Sequence, residues 1–324
     1  MIMKQTVLIL SAAVAFVAGA PVVWAAPFNP KDVAADPALL VHVDCDALRT
    51  CTVGQSILSE PEVQEKLAMV GAIFDFDFTK QLHGLTVYTT EAHPKDGALI
   101  VYADIDPNRL IALAKAQEGF HGVTNGSRII YSWVDEKKKA KGDDQTRVYG
   151  AIEGHRVIIG QDETHLADAL DVMDGKKPSF AGKKGLPEAE GGESIILEGL
   201  LLKFDFDGAD EKAAIFKMSK SVRLKLSEVA QQMTATVRFE AADADTGTQI
   251  GNIAQGLLSL VKLQKNDADL MKLANAIAIK QDGPVVGLTL TVPSSELVGI
   301  IKDGQKKEEA KKAKESADSS SEKK

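Results

Sequence analysis

The stretch Phe74-Asp75-Phe76-Asp77-Phe78 alternates a large apolar with a charged residue, and Phe204-Asp205-Phe206-Asp207 repeats it 130 positions later. A period of two is that of a strand with one buried face, so both copies read as strands with Phe inward and Asp outward. A second match lies at nearly the same separation. Leu166 to Leu170 within THLADALDVMDG corresponds to Leu297 to Ile301 within SELVGIIKDG, at an offset of 131. Two matches at almost one offset point to an internal repeat, against the alternative of two unrelated halves. The fold class expected is α+β, with two similar lobes, each an antiparallel-rich sheet with helices packed on one face.

The first lobe is expected over 38–175. Its strands are read at Leu39–Asp44, Leu85–Thr90, Ala98–Asp104, Ile129–Val134, Arg147–Ile152 and Val157–Gly160. Asp106-Pro107 starts a helix with Leu110, Leu113 and Ala114 on one face, and Glu163–Met173 is another. The Gly-, Lys- and Pro-rich stretch 176–192 reads as a linker. The second lobe, 193–304, carries strands near Ser194–Glu198, Val222–Leu226, Thr234–Ala241, Ile277–Lys280 and Val285–Val292. Its helices are Thr248–Leu263, Asp267–Ala276 and one beginning at Ser294. Outside the lobes, 26–37 reads as an irregular lead-in, and 305–324 as a disordered charged tail that has too little apolar surface to repay ordering.

Residues 1–25 read as a signal peptide. Lys4 precedes the apolar run Thr6–Ala20, and Val23-Trp24-Ala25 places Ala at the residue before a cleavage site. An uncleaved anchor is the alternative. No later stretch is long and apolar enough to span a bilayer, so the mature chain is expected to be exported, either periplasmic or secreted. Cys45 and Cys51 are the two cysteines, and in an oxidising compartment they are expected to pair. Two buried free thiols or a redox pair are the alternatives.

The net charge of −8 argues against a nucleic-acid partner, since phosphates need a basic face. The six histidines are dispersed, with no H-E-x-x-H, Cys–His cluster, G-x-S-x-G, Walker loop or G-x-G-x-x-G. No residue is therefore assigned a catalytic, cofactor-binding or metal-binding role, and no cofactor is expected. Asp75 with Asp77, and Asp205 with Asp207 and Asp210, are clustered carboxylates of the kind that hold Ca²⁺, but they lack a ligand loop. His165 with Asp168 fits a solvated helix face, and His42 with Asp44 a polar strand face. The partner expected is another protein or an apolar ligand, held between the lobes or under the helices, with weak surface tethering through the Lys-bearing tail as a further option. The alternative is an exported hydrolase, which would need some of His42, Asp44, His155 and His165 in one cleft.

The segments VHVDCDALRTCTVGQSIL, GALIVYADIDPNRL and VIIGQDETHLADALDVMDGK resemble a group of uncharacterised exported bacterial proteins. The resemblance covers most of 38–180. It implies an exported α+β protein and supplies no functional residues. Where that group commonly has an apolar residue, this chain has Cys45.

Overall fold

A computed structural model describes residues 28–91, 97–135, 146–186, 192–203, 214–263 and 268–305. The segment expected to be a signal peptide, the second FDFD copy, most of the charged 135–144 tip and the 306–324 tail lie outside them. The strands are β1 (Leu39–Asp44), β2 (Leu82–Thr89), β3 (Gly97–Ala103), β4 (His121–Asn125), β5 (Arg128–Val134), β6 (Arg147–Glu153) and β7 (Arg156–Gly160). They continue with β8 (Ser194–Leu201), β9 (Ser219–Val229), β10 (Gln232–Ala241), β11 (Ile277–Asp282) and β12 (Val285–Pro293). The helices are α1 (Cys45–Thr50), α2 (Thr52–Leu58), α3 (Pro61–Phe74), α4 (Phe78–Gln81) and α5 (Pro107–Lys115). After them come α6 (Glu163–Met173), α7 (Ala214–Lys217), α8 (Ala244–Lys262), α9 (Ala268–Ala276) and α10 over 294–305.

The fold is α+β, as expected, but two separate sheets are not present. One antiparallel sheet runs through both halves in the order β11-β12-β10-β9-β8-β1-β2-β3-β7-β6-β5-β4. The halves join where β1 pairs with β8, from Leu39 opposite Leu201 to Val43 opposite Leu197. Outward from this junction, each half places its first, second and third strands, then its last, then the one before it. The first half adds β5 and β4 beyond. The reason for one sheet is physical: β1 and β8 would each have been an exposed edge, and pairing them removes both.

Helices also lie on both faces, not one. Alternation along the paired strands puts Leu40, His42, Thr86, Ile100 and Ile158 on what we call the front face, and Val41, Val87, Leu99 and Ile159 on the back. On the front, α6 packs Leu166, Ala169 and Leu170 against Ile100, Ile158 and Leu40. The lead-in joins this cluster and does not hang outside the fold. Val33 is fully buried, and Phe180, from the stretch read as a linker, is buried beside it. On the back, α1 and α2 pack on Val43, Leu85 and Leu226, while Ile250 and Ala254 of α8 pack on Val222, Phe239 and Val286.

The first FDFDF stretch is not a strand. α3 runs through Phe74, and Asp75 is its left-handed C-cap at φ 51. Asp77 then caps α4, accepting from the Thr79 amide at 2.9 Å. Burial pushes the Asp77 carboxyl up, but hydrogen bonds from Lys80 and Thr79 outweigh it and hold the pKa below the usual range. The alternation is thus a chain reversal with one aspartate at each helix end: the Asp75 backbone N–H donates to the Gly71 carbonyl to close α3, and the Asp77 carboxylate caps α4. Gly71 permits it, since a Cβ there would lie 2.6 Å from the Phe76 carbonyl oxygen. Phe76 and Phe78 do pack against the core, edge to face at 4.8 Å, whereas Phe74 stays 37% exposed.

Candidate ligand-binding site

Beyond Phe74 the back face of β5, β6 and β7 is incompletely covered. Asp106 caps α5, accepting from the Asn108 amide at 2.9 Å, and Pro107 pre-sets its first turn. The helix is amphipathic, with Leu110, Ile111, Leu113 and Ala114 turned to the sheet, yet none of its residues is buried. It stands off the strands. Between them lies a cavity of about 430 Å³, floored by Tyr131, Trp133, Ile152, Val157 and Ile159 and lined also by Phe74. Gly150 belongs to the floor, where a Cβ would come 3.4 Å from the Trp133 ring.

The lining is almost wholly apolar. Its polar groups are the Gln117 amide, which donates to the Leu113 carbonyl at 3.3 Å, the Tyr131 hydroxyl and the Trp133 indole N–H. Among the described residues, no charged side chain lines it. Arg109 sits outside, tying α5 to the end of α3 through the Ile73 carbonyl at 3.2 Å. The floor continues as an apolar row, Tyr131, Gly150, Ile159, Leu99, Val87 and Val41, through successive strand pairs. Val87 in that row is 39% exposed. A larger trough of about 630 Å³ lies along α3 and the FDFDF reversal, and Gln64, Asp75, Asp77, Thr79 and Gln81 make its lining more mixed. The sequence placed Leu110, Leu113 and Ala114 on one helix face. It did not show that the floor beneath them, Tyr131 and Trp133 on β5, would leave a gap.

The residues weighed for chemistry fall in different places. His42 is buried at the sheet centre, its Nδ1 2.8 Å from the Thr86 hydroxyl. Asp44 caps α1, accepting from the Ala47 amide at 2.8 Å. His155 is an exposed turn residue near Asp104, and His165 pairs with its own helix cap Asp162, not with Asp168. Asp168 bonds Lys177 at 2.5 Å. These four do not make the shared cleft a hydrolase would need.

Two other clusters went unread. Glu198 stands opposite His42, and burial, then the charge of Asp44, pushes its carboxyl up to about 7. Asp44 itself is pushed up to about 6, chiefly by burial. Separately, His83 lies between Asp46 at 3.1 Å and Asp104 at 3.2 Å. It is the extra residue of a β-bulge, since Leu82 faces Ala103 and Gly84 faces Tyr102. Bulges re-aim side chains in this way, and no sequence signal announces them. Among the described residues, no group of three or more His, Cys, Asp or Glu side chains is arranged to hold a metal ion.

Cys45 and Cys51 are separate buried thiols here, and the pairing expected for them is not formed. Cys51 instead serves as the α2 cap, its sulfur accepting from the Gly54 amide at 3.2 Å. Burial raises the Cys45 pKa to about 12 and the Cys51 pKa to about 11, so neither is a ready thiolate.

No protein-family model and no curated protein matches the chain. Among solved structures it is similar to crystal form III of TP0453, with a TM-score of 0.46 and 10% identity over 86% of this chain and 99% of the other. Crystal form I of TP0453 gives 0.45 and 11% over 86% and 99%, and crystal form IV gives 0.42 and 9% over 86% and 98%.

Proposed function

We propose that this chain is an exported binding protein that holds an uncharged, largely apolar molecule between α5 and the back face of β5–β7. The observation that carries the reading is an amphipathic helix with no buried residue above an apolar cavity of about 430 Å³. That volume lies within the range of small-molecule sites, and such sites combine an apolar wall with a few polar groups. Gln117, Tyr131 and the Trp133 indole supply those groups, enough to orient one polar end of a ligand. The absence of charge in the lining disfavours an ionised headgroup there, which would lose its hydration without compensation. The exposed row through Val87 would let an elongated ligand extend over β3 and β2. The shared strand order supports reading the halves as copies of one unit, with the β4–β5 hairpin and its site added to the first alone.

Native mass spectrometry of the full chain, recovered from the export compartment, tests the proposal, with Nile red titration as the second arm. The expected result is a co-purified apolar molecule and saturable one-to-one dye binding. Ala114→Trp, which fills the cavity, should weaken the dye by about tenfold or more, a loss of ~1.4 kcal/mol. Dye binding that Ala114→Trp leaves unchanged would overturn this site.

A further inference from the structure

The two edges of the sheet are treated differently. At one edge, β11 carries Lys280 and Asp282, and the Gln281 amide reaches α8, donating to the Ala244 carbonyl at 3.3 Å and the Thr248 hydroxyl at 3.0 Å. Charge on an edge and a helix over it are both devices that prevent strand addition. At the other edge, β4 has neither. All five of its residues are exposed, and among the described residues it pairs with β5 alone. It holds no Lys, no Pro and no register shift against β5. The hairpin that presents it is tight, with Gly126 at φ 62 in the turn.

From Gly119 to Ser127 there is no Asp, Glu, Lys or Arg, in a chain of which 26% is charged. An uncharged, uncovered edge, even one of five residues, is a template for another strand, and its own backbone supplies most of the bonds. We propose that β4 is a dimer interface, and that its occupant is β4 of a second copy, antiparallel about Val123. That register sets His121 against the second copy's Asn125 and Gly122 against the second copy's Thr124. It opposes no like charges, and it is isologous, so it closes at two copies instead of growing. Five residues a side make a small interface, so the dimer is weak and concentration-dependent.

Sedimentation of the full chain should show a monomer–dimer equilibrium between about 10 µM and 1 mM. Thr124→Lys, on an exposed position that leaves the melting temperature unchanged, should abolish it. Val123→Cys should form a disulfide-linked dimer under mild oxidation, because the two copies of that residue lie across the two-fold axis. The native Cys45 and Cys51 are buried and do not compete. Val229→Cys, 42% exposed on β9, is the control that should stay monomeric. A chain monomeric at about 1 mM, a dimer unaffected by Thr124→Lys, or equal cross-linking at both cysteines overturns the proposal. Cross-linking of Val123→Cys to another protein instead of to itself does so too.

Discussion

Strands β6 and β7 are covered twice, and the two covers differ. On the front, α6 buries Leu166 (0% exposed), Ala169 (1%) and Leu170 (3%) against Ile158 and Ile100. On the back, α5 offers Leu110, Ile111, Leu113 and Ala114 to Val157 and Ile159 and buries none of them. The helices are alike in being amphipathic, short and capped by Asp. What differs is support from third parties. Phe180 and the Val33 segment press around α6, whereas at the α3 end α5 meets Phe74 and the Arg109 bond. A helix closes on a sheet when its neighbours fill the remaining volume, and stands off when they do not. The first arrangement makes a core, and the second leaves room for a guest.

The largest expected effect of a substitution tests that contrast directly. Leu166→Ala should destabilise the fold by about 3 kcal/mol, since a fully buried leucine leaves a cavity, whereas Leu113→Ala should cost under about 1 kcal/mol. Urea unfolding midpoints measure both, and equal losses would mean that α5 is as well packed as α6. A saturating apolar ligand should then raise stability by about 2.7 kcal/mol at a hundredfold excess over its Kd. Thermal melts with and without ligand read this gain, which Ala114→Trp should remove.

The front face itself changes character along one row. Ile158 and Ile100 give way to Thr86, His42, Glu198, Lys225, Thr236 and Thr289 as the strands pass into the second half. Glu198 faces His42 and Asp44 from β1 and Lys225 from β9, and the Lys225 ammonium is engaged by Glu193 at 2.6 Å. Burial raises both Glu198, to about 7, and Asp44, to about 6, above their ordinary values of 4.5 and 3.8. A carboxyl raised on folding holds its proton more tightly in the native state, so stability is greatest below its unfolded pKa and falls as pH rises through the folded one. The chain should lose roughly 4 kcal/mol between pH 5 and pH 8, the larger part from Glu198. Glu198→Gln should flatten that slope, and an unchanged slope by urea titration at the two pH values would remove Glu198 as its source. The smallest effect concerns the thiols. In the native protein both should react with a thiol reagent far more slowly than in denaturant, where two equivalents appear at once.

Much of the scaffold was legible from local pattern. β1, β3, β5, β6, β7, β10, β12, α6 and α8 fall close to where alternation, caps and turn residues place them, because each is decided by side chains within a few positions of one another. β4 went unread because HGVTN has no apolar alternation for an edge that buries nothing. FDFDF was misread because a period of two also arises when two helix ends, each needing a cap, lie two residues apart. Asp75 and Asp77 answer the free backbone groups of α3 and α4, and the phenylalanines follow the chain as it turns.

The candidate site was half visible. Leu110, Leu113 and Ala114 announced an apolar helix face, whereas Ile129–Val134, Arg147–Ile152 and Val157–Gly160 were legible as strands but not as the floor beneath it. By itself the amino-acid order determined the α+β class, the positions of most elements and which of their faces shun water. Tertiary structure alone decided that the halves share one sheet, that helices lie on both sides of it, and that α5 does not close. Those outcomes depend on volume and on pairing between residues far apart in the chain, such as β1 with β8. Hydrophobicity is written residue by residue, but whether two apolar surfaces meet or leave a gap is settled by everything packed around them.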